Sequence, residues 1–113
     1  MSQGTYSTVN VANGGTQSTG YRLKGANRGS FLIPAAFTGT NCKVQVAIAA
    51  AAEPELASSA WTDLPVEGNE AVTQTVAVEK SYAFHVKTFN FDWLRFVVDA
   101  QGAARSITIF TRD

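Results

Sequence analysis

Along most of the chain, apolar side chains alternate with polar ones over short stretches, and glycine, asparagine, serine or proline then cuts the pattern. Alternation at period two is the signature of a strand with one buried face. Residues 5–12 set Tyr6, Thr8 and Asn10 against Val9 and Val11, then break at Asn13-Gly14-Gly15, a strong turn signal. Two more short strands, at residues 21–24 and 30–33, flank Gly25-Ala26-Asn27-Arg28-Gly29. Residues 42–48 put Cys42, Val44, Val46 and Ile48 on one side and Lys43, Gln45 and Ala47 on the other. A brief strand at 61–64 ends at Pro65, and Glu67-Gly68-Asn69-Glu70 reads as a turn. Val72, Val76 and Val78 mark a threonine-rich strand, and Lys80-Ser81 joins it to Tyr82, Phe84 and Val86, which alternate with Ala83, His85 and Lys87. Leu94, Phe96 and Val98 share a face of 93–99; a turn at 101–104 leads to a last strand with Ile107, Ile109 and Thr111 alternating. About eight or nine short strands and no amphipathic helix predict an all-β, single-domain antiparallel β-sandwich, jelly-roll-like, or a small barrel. The domain spans residues 1–113, with 1–4 expected as a flexible arm.

The most apolar run, residues 31–52, is long enough to raise a membrane helix as an alternative. A spanning helix needs about 20 consecutive apolar residues. Here Pro34, the string Thr38-Gly39-Thr40-Asn41, Lys43 and Gln45 interrupt the run, so it reads as strand, crossing loop and strand. Four alanines at 49–52 favour helix by propensity, but Pro54 follows, and 50–60 is predicted to be an exposed loop with room for one helical turn.

Composition narrows the functional classes. A chain of 113 residues buries enough surface for one core. Nine basic and nine acidic residues, with a pI near 6.6, give no long-range field toward nucleic acid or anionic lipid. One cysteine, Cys42, excludes an intramolecular disulfide and is expected to act as a small, partly buried hydrophobe. The opening MSQGTYSTVNV has no basic segment followed by an apolar one, so a soluble product made in a cytoplasm is expected.

Candidate chemistry is sparse. His85, the one histidine, falls within an alternating strand with no nucleophile motif nearby, and is expected to be a solvated strand residue. One His and one Cys cannot supply a zinc site. Glu53, Glu55, Glu67 and Glu70 lie in predicted loops and Asp63 and Asp92 at strand ends, with no pair that sequence brings together for glycosidase chemistry. Residues 10–14 are too poor in acids for a calcium loop, and no phosphate-binding glycine loop precedes a helix. No catalytic residue, metal or cofactor is expected, and the protein is expected not to be an enzyme. The run Phe89-Asn90-Phe91-Asp92-Trp93 would place Phe89, Phe91 and Trp93 on one face of an extended chain. Core packing, a protein interface and a sugar-stacking platform all fit that arrangement. Trp61 is most simply a core anchor.

The order Leu32-Ile33-Pro34-Ala35-Ala36-Phe37-Thr38-Gly39-Thr40-Asn41, a Val-Gln-Val strand, Trp61-Thr62-Asp63-Leu64, a threonine-valine strand, Trp93-Leu94-Arg95-Phe96 and Arg105-Ser106-Ile107-Thr108-Ile109 resembles small β-sandwich proteins encoded among virion genes of tailed bacteriophages and prophages. The likeness covers about residues 5–111. Those proteins usually carry a Gln-x-Ser-x-Asp-Gly loop before the Trp-x-Asp-Leu motif; here residues 49–59 are alanine-rich instead, which implies a remodelled surface. The resemblance implies a virion structural protein, foremost a capsid decoration or cement protein that binds the major capsid protein and copies of itself as a dimer or trimer. It implies no nucleic-acid or membrane partner and localisation in the virion. The alternative is a glycan- or receptor-binding module of a tail or fibre, contacting a host glycan through Trp93. Phe89, Phe91, Trp93, Glu53, Glu55 and Leu56 are the candidate interface residues, and strand edges at 5–12 or 106–111 are candidates for pairing with a neighbour.

Overall fold

The computed structural model describes residues 4–48, 53–54, 59–64 and 73–112. Nine strands follow in order: β1 (Thr5–Val11), β2 (Tyr21–Arg22), β3 (Arg28–Leu32), β4 (Asn41–Ala47), β5 (Thr62–Asp63), β6 (Gln74–Thr75), β7 (Ser81–Ala83), β8 (Trp93–Val98) and β9 (Arg105–Arg112). One sheet has the order β1-β9-β3-β7, and the other β2-β8-β4-β5, with β6 pairing the far end of β4 beside β5. Every strand pair is antiparallel. With β6 set aside, these two interleaved four-stranded orders are those of a jelly roll, two Greek keys folded face to face. The predicted sandwich is therefore the observed fold.

Alternation explains which side chains meet between the layers. Val9 and Val11 from β1, Phe31 from β3 and Ile107 and Ile109 from β9 face Cys42 and Val46 from β4 and Leu94, Phe96 and Val98 from β8. At the centre, Phe31 of one sheet meets Phe96 of the other with ring centroids 4.9 Å apart, and Phe84 closes the cluster at 5.0 Å from Phe31. Tilted aromatic pairs of this kind add about 0.5–1.5 kcal/mol each beyond their burial.

Two predicted strands end early. Residues 82–87 do not stay extended: β7 stops at Ala83, and Val86–Asn90 form a 3₁₀ helix. His85, expected on a solvated strand, is exposed at the N-cap of that helix, where its Nδ1 accepts the Lys87 N–H at 3.1 Å. Val86, expected to face the core with Phe84, is exposed as a result. In the threonine-rich segment only Gln74–Thr75 pair as strand; Val76 is buried and Val78 exposed, and Val72 lies outside the described residues. The expected C-terminal edge is also absent, because β9 lies between β1 and β3; β1 is a sheet edge. Of the arm expected at residues 1–4, Gly4 packs so closely on the Phe110 ring that a Cβ there would overlap it; the rest lies outside the described residues.

The crossing loop between β3 and β4 is pinned by two side chains from the β8–β9 turn. Buried Gln101 accepts the Thr38 N–H through Oε1 at 2.9 Å and donates through Nε2 to the Thr38 and Asp99 carbonyls. Asp99 accepts from the Thr40 and Asn41 N–H groups at 3.0 and 3.1 Å and from Asn41 Nδ2. Gly39, at φ +83°, lies where any Cβ would strike Asp99.

The hydrogen bonds from Asn41 and Thr40 hold the Asp99 carboxyl below the ordinary carboxylate range. A depressed folded-state value means stabilisation that is present above the unfolded value, about pH 4, and is lost as pH falls through the folded value. Asp99→Asn is therefore expected to lower the melting temperature at pH 7 by a few degrees, and to narrow that deficit as thermal scans move below about pH 4.

Candidate functional site

The two sheets treat their outer faces differently. On the β2-β8-β4-β5 sheet, the chain covers its own outer face. Trp93 of β8, Ala47 of β4 and Trp61 form a second small core there. Trp61 Nε1 donates to the Pro54 carbonyl at 3.3 Å, and Glu53 Oε2 accepts the Gly20 N–H at 2.8 Å, which folds residues 53–54 back over the sheet. Beside the tryptophans runs a polar row set by the strand register, in which Gln45 stands opposite both Arg95 and Asp63. Arg95 Nε donates to Gln45 Oε1 at 2.9 Å, Gln45 Nε2 donates to Asp63 Oδ1 at 3.1 Å, and Lys43 pairs with the same oxygen at 3.1 Å. The Arg95 guanidinium also lies 4.6 Å over the Trp61 ring. Burial pulls the Arg95 pKa down against the supporting charge of Glu53, while the Gln45 hydrogen bond, with Lys43, pulls Asp63 down. A buried arginine is tolerated here because it is hydrogen-bonded and stacked.

The expected aromatic platform is therefore divided. The 3₁₀ turn at Val86–Asn90 rotates Phe89 out of line, and Phe89 and Phe91 pack half-buried against the main core. Trp93 belongs to the opposite side of the sheet and is only 8% exposed. The three rings do not share one face. Trp61 is a core anchor, of the small second core. Of the loop candidates, Glu53 is exposed and tied to Gly20, whereas Glu55 and Leu56 lie outside the described residues.

Cys42 and His85 both line a cavity of about 260 Å³ between the sheets, with Phe31, Val44, Leu64 and Phe84. Burial pushes the Cys42 thiol up to about 12, the reverse of what a thiolate nucleophile needs. Among the described residues no three His, Cys, Asp or Glu side chains gather as a metal site.

Among the described residues none covers the outer face of the β1-β9-β3-β7 sheet, and the register lays that face out as rows. One row is Tyr6, Phe110, Ser30 and Ala83; the next is Thr8, Thr108, Leu32 and Ser81; Asn10 and Ser106 follow at one end, Arg112 and Arg28 at the other. The rings of Tyr6 and Phe110 lie 4.7 Å apart, with Tyr6 75% exposed and Leu32 39% exposed. A depression of about 220 Å³ is lined by Tyr6, Ser30, Leu32, Thr108 and Phe110 among others. None of these four strands carries an aspartate or glutamate. Tyrosine, phenylalanine and arginine, residue types enriched at protein interfaces, thus lie together here among hydroxyl side chains. The sequence signal for it was Phe110, an aromatic on the polar side of an alternating strand, which only the pairing with β1 joins to Tyr6.

No protein-family model matches the chain, and no curated protein sequence does. Among solved structures, the crystal structure of the SPBc2 prophage-derived protein YomS matches with a TM-score of 0.63, over 100% of this chain and 96% of that one, at 9% identity. At that identity the likeness is one of fold.

Two outcomes test this placement. Trp93→Ala is expected to cost about 3–5 kcal/mol in urea unfolding, as loss of a buried aromatic does; a fully stable variant would mean that the second core is not formed. Cys42 should resist a water-soluble thiol reagent at pH 8 in the native protein and react completely once it is unfolded.

Proposed function

We propose that this chain is a phage virion structural protein, and within that class a capsid decoration or cement protein that binds assembled capsid subunits and stabilises the shell. The observation that carries the reading is the open outer face of the β1-β9-β3-β7 sheet. Residues 53–54 and Trp61 close one outer face, whereas on the other Tyr6 and Leu32 are exposed and Phe110 is half-buried beside Tyr6. Sharing a fold with a prophage-derived protein supports the phage context. A modest patch suits a lattice: many copies on a repeating shell add small contacts into lasting attachment. The edge strand β1 offers backbone groups beside the same patch for pairing with a second copy, so a dimer or trimer is compatible with it.

The glycan-binding reading draws less support, because Trp93, the ring that it relies on, is engaged with Trp61 and Ala47.

The reading predicts that purified virions contain the protein in hundreds of copies, and that Tyr6→Ser/Leu32→Thr lowers co-sedimentation with capsids while leaving the melting temperature within a few degrees of wild type. A handful of copies confined to the tail tip, or glycan-array binding that the same double variant abolishes, would replace it with the tail-module reading.

A further inference from the structure

The open face carries an electrostatic feature that its apolar rows do not need. Arg28 of β3 and Arg112 of β9 stand directly opposite one another in the register, on the outer side of the sheet. Opposed side chains in an antiparallel pair lie about 5 Å apart at Cβ, and like charges there are destabilising. Nothing within the sheet relieves them, because its four strands hold no acid. The Arg112 guanidinium rests 5.1 Å over the Phe110 ring, and its Nε is buried without a hydrogen-bond partner. Together Arg28, Gly29, Ser30, Phe110 and Arg112 line a shallow depression of about 400 Å³.

We infer that this depression recognises carboxylates, and that the partner of the open face is a protein surface with an aspartate or glutamate at its centre and apolar groups beside it. The inference rests on the proposal that this face is the attachment surface, and names the chemistry of what it meets. Two guanidinium forks and a serine hydroxyl match the planar, two-oxygen geometry of a carboxylate, and the Phe110 ring in the same depression, with Tyr6 packed beyond it, supplies the apolar neighbours that a docked partner would cover. A nucleic acid is the poorer fit: two arginines and a formal net charge of zero cannot follow a phosphate backbone.

The test is a site-resolved NMR titration of the whole chain at low salt with poly-L-glutamate, and separately with oligo-dT. Poly-L-glutamate should shift the amide signals of residues 28–32 and 108–112, with binding weakened about tenfold or more in Arg28→Gln/Arg112→Gln and in raised salt. Arg28→Gln alone, at an exposed position, should weaken it in the same direction while the spectrum stays folded. Shifts confined to other cations, binding unchanged in the variants, or tighter binding of oligo-dT would each overturn the inference. If capsid co-sedimentation fails while the poly-L-glutamate response holds, the virion reading falls and carboxylate recognition stands; the reverse result removes only the latter.

Discussion

Everything in this molecule depends on the contact between Phe31 and Phe96 across the gap between the layers. Each sheet can bury an apolar face only against the other, and these two rings, with Phe84, lie where the faces meet. Sequence neighbours cannot supply that contact, because the strands that carry it belong to different sheets and pair with partners far along the chain. With the rings in place, the remaining inward positions of β1, β4, β8 and β9 fill the interior as alternation requires. The loops are then drawn close enough for Gln101, Asp99 and Ser18 to bond backbone groups that would otherwise lack partners. Ser18 is the clearest case: its Oγ accepts the Phe96 N–H at 2.9 Å while its own N–H donates to the Phe96 carbonyl.

What distinguishes the protein from a generic sandwich is the unequal treatment of its two outer faces. The Trp61–Trp93–Ala47 layer with its Arg95–Gln45–Asp63 row gives one sheet a second dry side, at the cost of a buried guanidinium that must be held by hydrogen bonds and a ring. The other sheet has no such cover among the described residues and no acidic residue in its strands, yet it displays two paired rings and two opposed arginines. The two sheets thus differ in kind: one is sealed on both sides, and the other sets like charges and rings at its surface.

The longer strands and their inward faces were legible in the sequence because period-two alternation is local: β1, β4, β8 and β9 bury the expected side, except that Ile48, just past the end of β4, is 75% exposed. Failures came where local pattern and tertiary demand diverged. Tyr82 to Lys87 alternate well enough for a strand, but the His85 side chain caps the Lys87 N–H and turns the chain into a 3₁₀ helix. Phe89, Phe91 and Trp93 looked like a single face because extended geometry was assumed through that turn. Ala47, on the polar side of its strand, is buried because tryptophans distant in sequence cover it. The open face was the least legible part, since it is a property of register: Tyr6 and Phe110 become neighbours only when strands from opposite ends of the chain pair.

That same pairing has a kinetic side. β9, which follows the other eight strands along the chain, lies inside its sheet, and among the described residues β1 pairs with no other strand of that sheet. That half of the sandwich therefore closes only when two strands about a hundred residues apart meet. High separation of paired segments places folding in the millisecond-to-second range rather than microseconds, and the alternating Val9 and Val11 stay exposed in that interval. Until the register that joins Thr5 to Thr111 forms, closure within the chain competes with pairing between chains for the same strand, a contest that no feature of the finished surface reveals.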